Sequence, residues 1–428
     1  MRVLIVGINF QPEMVGIGVY TSEMAKALVC QGHAVTVVTS PPHFPAWRVP
    51  DGYKWWRYSS ARTKDGVNVI RCPLYVPKIP SGMRRILHYL SFALSSFPAA
   101  LLNAIRSRPD MVFVVAPSLL SAPGARLVAW ITGAKAWLHI QDFEVEAAMA
   151  TSVLKDAGRR AGIARSFEGW VLGLFDKVST ISPAMVTRLC EKGVRKNRVY
   201  EFRNWSDTSH IKPLEFPSTY REELGIDARH IALYSGSIAN KQGIEIIIEA
   251  AGLLKQRQDI CFLICGDGPA VPGLRARTAD LQLRNVFFLP LQPKEKLGDL
   301  LGLASLHLLP QIAGAADLVL PSKLTNMLAS GRPVIATALP ETGLGKEVEG
   351  CGLLVEPGDS AGLARAIERL ADDDALRADL GHAAVRRCHE RWDSTSILER
   401  FDAVLRDVVC NNIEAQSHSK EGIKVTSS

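Results

Sequence analysis

At 428 residues the chain is too long for one ordinary hydrophobic core, so two domains are expected. Its 47% hydrophobic and 22% charged residues describe a folded globular chain and exclude a low-complexity one. Eight scattered cysteines form neither a disulfide framework nor paired zinc ligands, which points to a reducing cytoplasm. The charge is uneven. Residues 1–212 carry 27 Lys+Arg against 14 Asp+Glu, a balance of +13, while the remainder carries 23 against 29, a balance of −6. A basic first half suits an anionic surface or partner, with plain solubility charge as the bland alternative.

The opening MRVLIVG reads as one short strand, Val3–Gly7, and not as a signal peptide, because polar residues follow at once. Ala34–Thr39 is a second apolar strand, as in a parallel sheet covered on both faces. Between them lie Asn9–Gly18 and a helix from about Val19 to Cys30. Gly16 and Gly18 allow close backbone approach where that helix begins. The pattern G-x-G-x-x-T falls well after the strand, and strand two ends in Thr39 and Ser40 with no acid for a ribose. This is therefore not a dinucleotide fingerprint. It reads as a flexible loop or as a glycine loop lining a cleft.

Pro41–Pro80 is rich in Pro, Trp, Tyr and Arg and includes Trp47, Trp55 and Trp56. It reads as an ordered loop at an acceptor site, or as stray packing aromatics. Ile86–Ile105 is a stretch of twenty residues without Asp, Glu, Lys or Arg, flanked by Arg84, Arg85, Arg106 and Arg108. Its length permits a membrane span. His88, Pro98, Asn103 and three serines favour a buried or interfacial helix instead. Strands follow at Met111–Val115, Trp137–Gln141 and Lys177–Ile181. Asp142 closes the second of these, at the edge where catalytic groups of open α/β sheets collect. Glu144 and Glu146 follow, and charge complementing a helix dipole is the alternative for all three. Phe202–Asp207 reads as the domain exit, and His210–Tyr220, with Pro213 and Pro217, as a linker.

The second half restarts the alternation. Ile231–Tyr234 is a strand, followed by Ser235, Gly236 and Ser237, then Lys241, Gln242 and Gly243, and a helix from Ile244 to about Gln256. A small-residue turn and a lysine thus precede a helix, an arrangement that favours phosphate. Cys261–Cys265 is a strand ending in the turn Gly266, Asp267, Gly268, Pro269. Val286–Leu289, Leu306–Leu309 and Val334–Ala336 are further strands. Leu318–Ala336, LVLPSKLTNMLASGRPVIA, reads as strand end, turn, short helix and strand. Pro321 fits the helix start, Leu324, Met327 and Leu328 sit at core-facing spacing, and Gly331 with Pro333 ends the helix. Ser322 and Lys323 would offer backbone amides and a point charge to a phosphate. Asp372–Arg391 is helical and charged, Ser396–Val409 is a last helix, and Asn411–Ser428 reads as a disordered tail.

Taken together, these motifs resemble the retaining GT-B glycosyltransferases of family 4, over nearly the whole chain to about Val409. The carrying residues are the Gly16 and Gly18 loop, Ser237 with Lys241, Gln242 and Gly243, the Gly266–Pro269 turn followed by Asn285–Leu289, and Pro321, Ser322 and Lys323 with Ala329–Pro333. The stretch His139–Glu144 resembles the branch that builds colanic-acid-type exopolysaccharides. The resemblance implies an α/β GT-B architecture of two Rossmann-like domains facing across a cleft. The acceptor-side domain is 1–208, the nucleotide-sugar domain is 209–392, and a helix at 393–410 returns to the first domain ahead of a tail at 411–428. It implies transfer of a sugar from a nucleotide diphosphate sugar to a lipid-linked saccharide acceptor, with retention and with neither metal nor other cofactor. It also implies work at the anionic inner face of the cytoplasmic membrane and no nucleic-acid partner.

By the same resemblance Asp142, Lys241 and Gly16 fall at the catalytic centre. Donor binding falls to Gly18, Gly236, Ser237, Lys241, Gly266, Asp267, Gly268, Leu289, Pro321, Ser322, Lys323, Leu324 and Asn326. The family's paired glutamates, eight residues apart, are here Leu318 and Asn326, with Asp317 one place before the first; its phosphate-binding arginine falls at Ser237. Those departures keep two rivals open: a sugar-nucleotide epimerase of the same architecture, and a GT-B assembly protein without catalysis.

Overall fold

The computed structural model describes residues 1–13, 16–79, 81–144, 159–206, 208, 210–239, 242–312 and 321–424. The chain divides into two compact units, one of Met1–Arg203 with Ile397–Ser428 and one of Asn204–Ser396.

The first unit is built on an eight-stranded sheet: β1 (Arg2–Gly7), β2 (Ala34–Thr39), β3 (Ser59–Arg62), β4 (Asn68–Arg71), β5 (Met111–Ala116), β6 (Lys135–Ile140), β7 (Lys177–Thr180) and β8 (Val199–Glu201). Their spatial order is β3-β4-β2-β1-β5-β6-β7-β8, and only the β3–β4 pair is antiparallel. Every residue of β5 is buried, as befits a central strand covered on both faces. The chain runs out from β1 to β2 and returns to β5 on the other side of β1, so the topological switch lies between β1 and β5. The helix α1 (Ile17–Cys30) follows β1. The long apolar stretch is one helix, α2 (Gly82–Ser107), and α3 (Ala122–Thr132) packs beside it.

The last helix, Ser394–Lys424, starts with Asp393 Oδ2 accepting from Ser396 N at 2.9 Å. From Ile397 onward it belongs to the first unit. Phe401 is buried there, its ring stacked on Phe202 at 4.2 Å between centroids and edge-on to Phe113 and Trp137. His33 Nε2 meets Asp402 Oδ1 at 2.6 Å on the same helix. The helix runs past Asn411, where the sequence reading starts a disordered tail.

The second unit carries a six-stranded parallel sheet of β9 (His230–Ser235), β10 (Ile260–Cys265), β11 (Val286–Leu289), β12 (Leu306–Leu309), β13 (Val334–Thr337) and β14 (Gly352–Val355). The order β11-β10-β9-β12-β13-β14 is that of a doubly wound Rossmann-like sheet, with its switch between β9 and β12. β10 is buried throughout, including Cys261 and Cys265, so those thiols are core residues. The charged helix expected over Asp372–Arg391 is Asp374–Trp392, set off from the preceding helix Ser360–Asp372. Asp373 breaks the run by accepting from Leu376 N at 2.8 Å as an N-cap.

Candidate functional site

In the second unit the candidate site grows from the carboxyl ends of β9 and β10. Gly236 follows β9 with φ 142°, and its N–H donates to Cys265 O at 2.9 Å. Gly266 and Gly268 follow β10. A Cβ on Gly266 would lie 1.9 Å from Gly236 O, and one on Gly268 would lie 2.1 Å from Ile238 O. Only glycine permits two strand-end loops to be laced this closely. Ile238 N–H donates to Asp267 O at 2.9 Å, and Gly266 N–H donates to Leu289 O at 3.0 Å. Leu289 and Asp267 therefore hold the loops through their backbones. The Asp267 carboxylate accepts from Gly268 N at 2.7 Å. Ser237 is exposed, and its carbonyl accepts from Tyr234 Oη at 2.6 Å.

Lys323 opens the short helix Lys323–Ala329. Its Nζ stands 4.0 Å from the Tyr234 ring centroid and 3.6 Å from where a Gly236 Cβ would be. It makes no hydrogen bond or ion pair to any described residue. Burial drives its ammonium down from 10.5 to about 7. Among the described residues no counter-charge pairs with this ammonium, which stands beside the switch point of the sheet.

Other candidates on this helix do different work. Leu324 is buried with Met327 and Leu328 in the core and its N–H donates to Pro321 O at 2.9 Å, so its side chain is not a donor contact; helical spacing turns it inward. Asn326 Oδ1 accepts from Ser206 Oγ at 2.8 Å, so its oxygen is already engaged. Ser322 is exposed ahead of the first turn, and Pro321 precedes it. Gly331 takes φ 72° and ends the helix as its place in the sequence requires. Lys241, Asp317 and Leu318 lie outside the described residues.

In the first unit the candidate residues sit at the same carboxyl edge of a sheet. Gly16 has φ 69° at the start of α1. A Cβ on Gly18 would meet Glu13 Oε2 at 2.9 Å. Glu13 is buried and knits the β1 loop to the loop after β2. Its Oε2 accepts from Asn9 Nδ2 at 2.8 Å, and its Oε1 from His43 N at 3.0 Å and Phe44 N at 3.1 Å. Burial raises its carboxyl, and those donors with the Arg71 charge pull the other way. Arg71 donates to Ser40 O at 2.7 Å and to Gln11 O at 2.5 Å, beneath the Tyr53 ring. Glu13 and Arg71 escaped the sequence reading. The available signal was a lone acid between Pro12 and the glycines in a loop otherwise without charge.

Asp142 is exposed just beyond β6. Glu144 accepts from Leu119 N at 2.8 Å, and burial lifts its carboxyl to about 7, with Asp142 and Glu168 adding repulsion. Tyr89 of α2 feels both carboxylates. Asp142, Glu144 and Tyr89 thus form one electrostatic neighbourhood at the ends of β5 and β6. Glu146 lies outside the described residues. Among the described residues no cluster of three or more His, Cys, Asp or Glu side chains has the placement of a metal site.

Residues 15–205 match the Glycosyl transferase 4-like domain, and residues 218–387 match Glycosyl transferases group 1. A protein of Escherichia coli (strain K12) named as the colanic acid biosynthesis glycosyl transferase WcaI is 41% identical over 411 residues, covering 94% of this chain and 98% of that one. The chain belongs to the family 4 glycosyltransferases of GT-B fold. Sucrose-phosphate synthase from Thermosynechococcus elongatus shares the fold at a TM-score of 0.74 and 19% identity, over 96% of this chain and 99% of that chain. Anabaena HepE in complex with UDP-glucose shares it at 0.66 and 15% identity, over 95% and 100%. The glycosyltransferase thus has two Rossmann-like sheets, each with its glycine-built loops at the carboxyl edge of the strands.

Proposed function

We propose that this glycosyltransferase moves a sugar, with retention, from a nucleotide diphosphate sugar to a lipid-linked saccharide during assembly of a surface polysaccharide. The observation that carries the reading is Lys323, a desolvated ammonium held over Tyr234 at the end of β9. The name of the Escherichia coli relative supports the polysaccharide, and the HepE complex with UDP-glucose supports the donor class. As the bond from the anomeric carbon to the diphosphate breaks, the leaving group takes the electron pair and gains charge. Lys323, with Lys241, four residues after Ser237 in the sequence, offsets that charge without a metal ion. The acceptor hydroxyl oxygen, oriented by Asp142 beyond β6, forms the new bond and gives its proton to the departing diphosphate.

The test is a thermal-shift screen over nucleotide diphosphate sugars, because a ligand bound only by the folded state raises the midpoint. The best stabiliser is then incubated with polyprenyl diphosphate saccharides in excess EDTA. The expected result is a new glycosidic product. An isomerised donor without acceptor would assign the epimerase reading, and activity restored only by Mg²⁺ or Mn²⁺ would overturn metal independence.

A further inference from the structure

The helix α2 is amphipathic in the wrong sense for a water-facing helix. Its inward stripe is His88, Phe92, Ser96, Ala100 and Ala104, mostly small or polar. Its outward side carries Met83, Ile86, Leu90, Leu94, Leu102 and Ile105, all exposed, with Leu94 at 69%. Small residues have been placed against the sheet and large aliphatic ones against the surroundings. An ordinary surface helix does the reverse.

The neighbouring helix extends this face. α2 packs on β1 and β2, α3 packs on β5 and β6, and the two helices pack on each other. They therefore cover one face of one sheet. Their approach is close: a Cβ on Gly124 would meet Phe97 Cδ2 at 3.1 Å. On α3, Trp130 is 72% exposed, beside exposed Leu127 and Ile131. An apolar area of this extent on one unit marks an interaction surface.

The charge around it identifies the occupant. Residues 66–109 contain no Asp or Glu, but six Arg or Lys. Arg84 and Arg106 are exposed near opposite ends of α2. An apolar stripe with cations at both ends fits a surface that is apolar inside and anionic at its rim. Helix length and composition alone would allow α2 to cross a membrane. Yet Phe92, Ala100 and Ala104 are buried in the unit, which ties one side of the helix to protein along its length.

We propose that the outer faces of α2 and α3 dock the enzyme on an anionic lipid bilayer, with α2 lying in the plane of the headgroups. The aliphatic stripe enters the boundary with the acyl chains, and Trp130 sits at the interface. The arginines at the two ends meet lipid phosphates. This deepens the acceptor side of the function proposed above, since it brings the first unit to the surface that holds a lipid-linked substrate. Vesicle binding needs no donor, acceptor or turnover, so either reading can fail alone.

The experiment is sedimentation of the full chain with vesicles of phosphatidylglycerol and phosphatidylethanolamine, and with vesicles of phosphatidylcholine, across a salt series. The wild type should pellet with the anionic vesicles at low salt and be released as salt rises, because exposed charges are screened beyond roughly 8 Å at physiological ionic strength. Leu94→Asp with Leu102→Asp should cut the bound fraction about tenfold or more. Arg84→Glu with Arg106→Glu should do so selectively for the anionic vesicles. Both should keep the far-ultraviolet circular dichroism and the nucleotide-sugar thermal shift. Should the aspartates unfold the protein, the arginine pair and the wild-type salt series decide. Retention on the vesicles through high salt and carbonate would overturn the in-plane arrangement in favour of a span. Failure to bind any vesicle would overturn the proposal outright, and concentration-dependent dimerisation lost in the Leu94 and Leu102 variant would assign the face to a second copy.

Discussion

On the function proposed above, the charge state of Lys323 makes donor affinity depend on pH in a calculable way. Burial against Tyr234 lowers its ammonium from 10.5 to about 7, a penalty of roughly 5 kcal/mol on the charged form. A bound diphosphate supplies the missing counter-charge and raises that value again. Below pH 7 the lysine is already charged and binding moves no proton. Above pH 7 each binding event must take up one. Affinity should then fall by about tenfold per pH unit, or about 100-fold between pH 7 and pH 9. Burial pushes the Tyr234 phenol well above its usual range, so it stays neutral throughout. The assay is titration calorimetry of a nucleotide diphosphate sugar in two buffers of different ionisation heat. The slope of log Kd against pH and the proton count should agree, and Lys323→Met should abolish both while weakening binding at pH 6. Stability without ligand runs the opposite way. The unfolded state binds the extra proton between about pH 7 and 10.5, so Lys323 lets stability rise with pH across that window. A flat Kd from pH 6 to 9 would refute the reasoning, as would the same slope in Lys323→Met.

Other expectations follow from the loops around this lysine. Gly266→Ala places a Cβ 1.9 Å from the Gly236 carbonyl at φ 151°, where neither backbone can yield cheaply, and should cost roughly 3 kcal/mol or more in urea unfolding. Wild-type stability in that variant would contradict the lacing of the two loops. Lys241→Ala should lower kcat/KM about 100-fold or more with the fold intact. Near-normal kcat/KM would remove Lys241 from the diphosphate site.

The sheet strands were readable because parallel strands buried on both faces form apolar runs such as MVFVVA in β5 and ICFLIC in β10. The loops at their ends were readable because Gly236, Gly266 and Gly268 stand where no side chain fits. Helix ends were less so. The helix expected from Asp372 starts at Asp374, because Asp373 caps it, and the 3.6-residue pattern does not announce where a cap falls. Glu13 and Arg71 were missed because they are far apart in sequence and meet only across the β1 and β2 loops, where each satisfies backbone groups of the other's neighbourhood. Leu324 shows the converse error: a motif position taken as a ligand whose own spacing already placed it in the core.

The absence of the second family glutamate at position 326 has an electrostatic rationale in the same helix. Residues three apart on a helix are neighbours, so a glutamate there would stand beside Lys323. Paired with a carboxylate, the ammonium would regain its usual proton affinity and lose its vacancy for a diphosphate. Asparagine keeps the position neutral and spends its oxygen on Ser206, leaving Lys323 as the cation beside Gly236 where the family's arginine has become Ser237. If Lys323 receives the diphosphate as proposed, the neutral residue at 326 and the cation at 323 act together. Asn326→Glu tests it directly. The substitution should raise the Lys323 ammonium, flatten the pH dependence of Kd above pH 7, and weaken nucleotide-sugar binding at pH 6 by about tenfold, since the diphosphate must now displace a carboxylate. Asn326→Asp, one methylene shorter, should do the same more weakly. If Asn326→Glu binds the donor as tightly as the wild type with the pH slope intact, position 326 does not act through Lys323, and the two departures from the family pattern are independent.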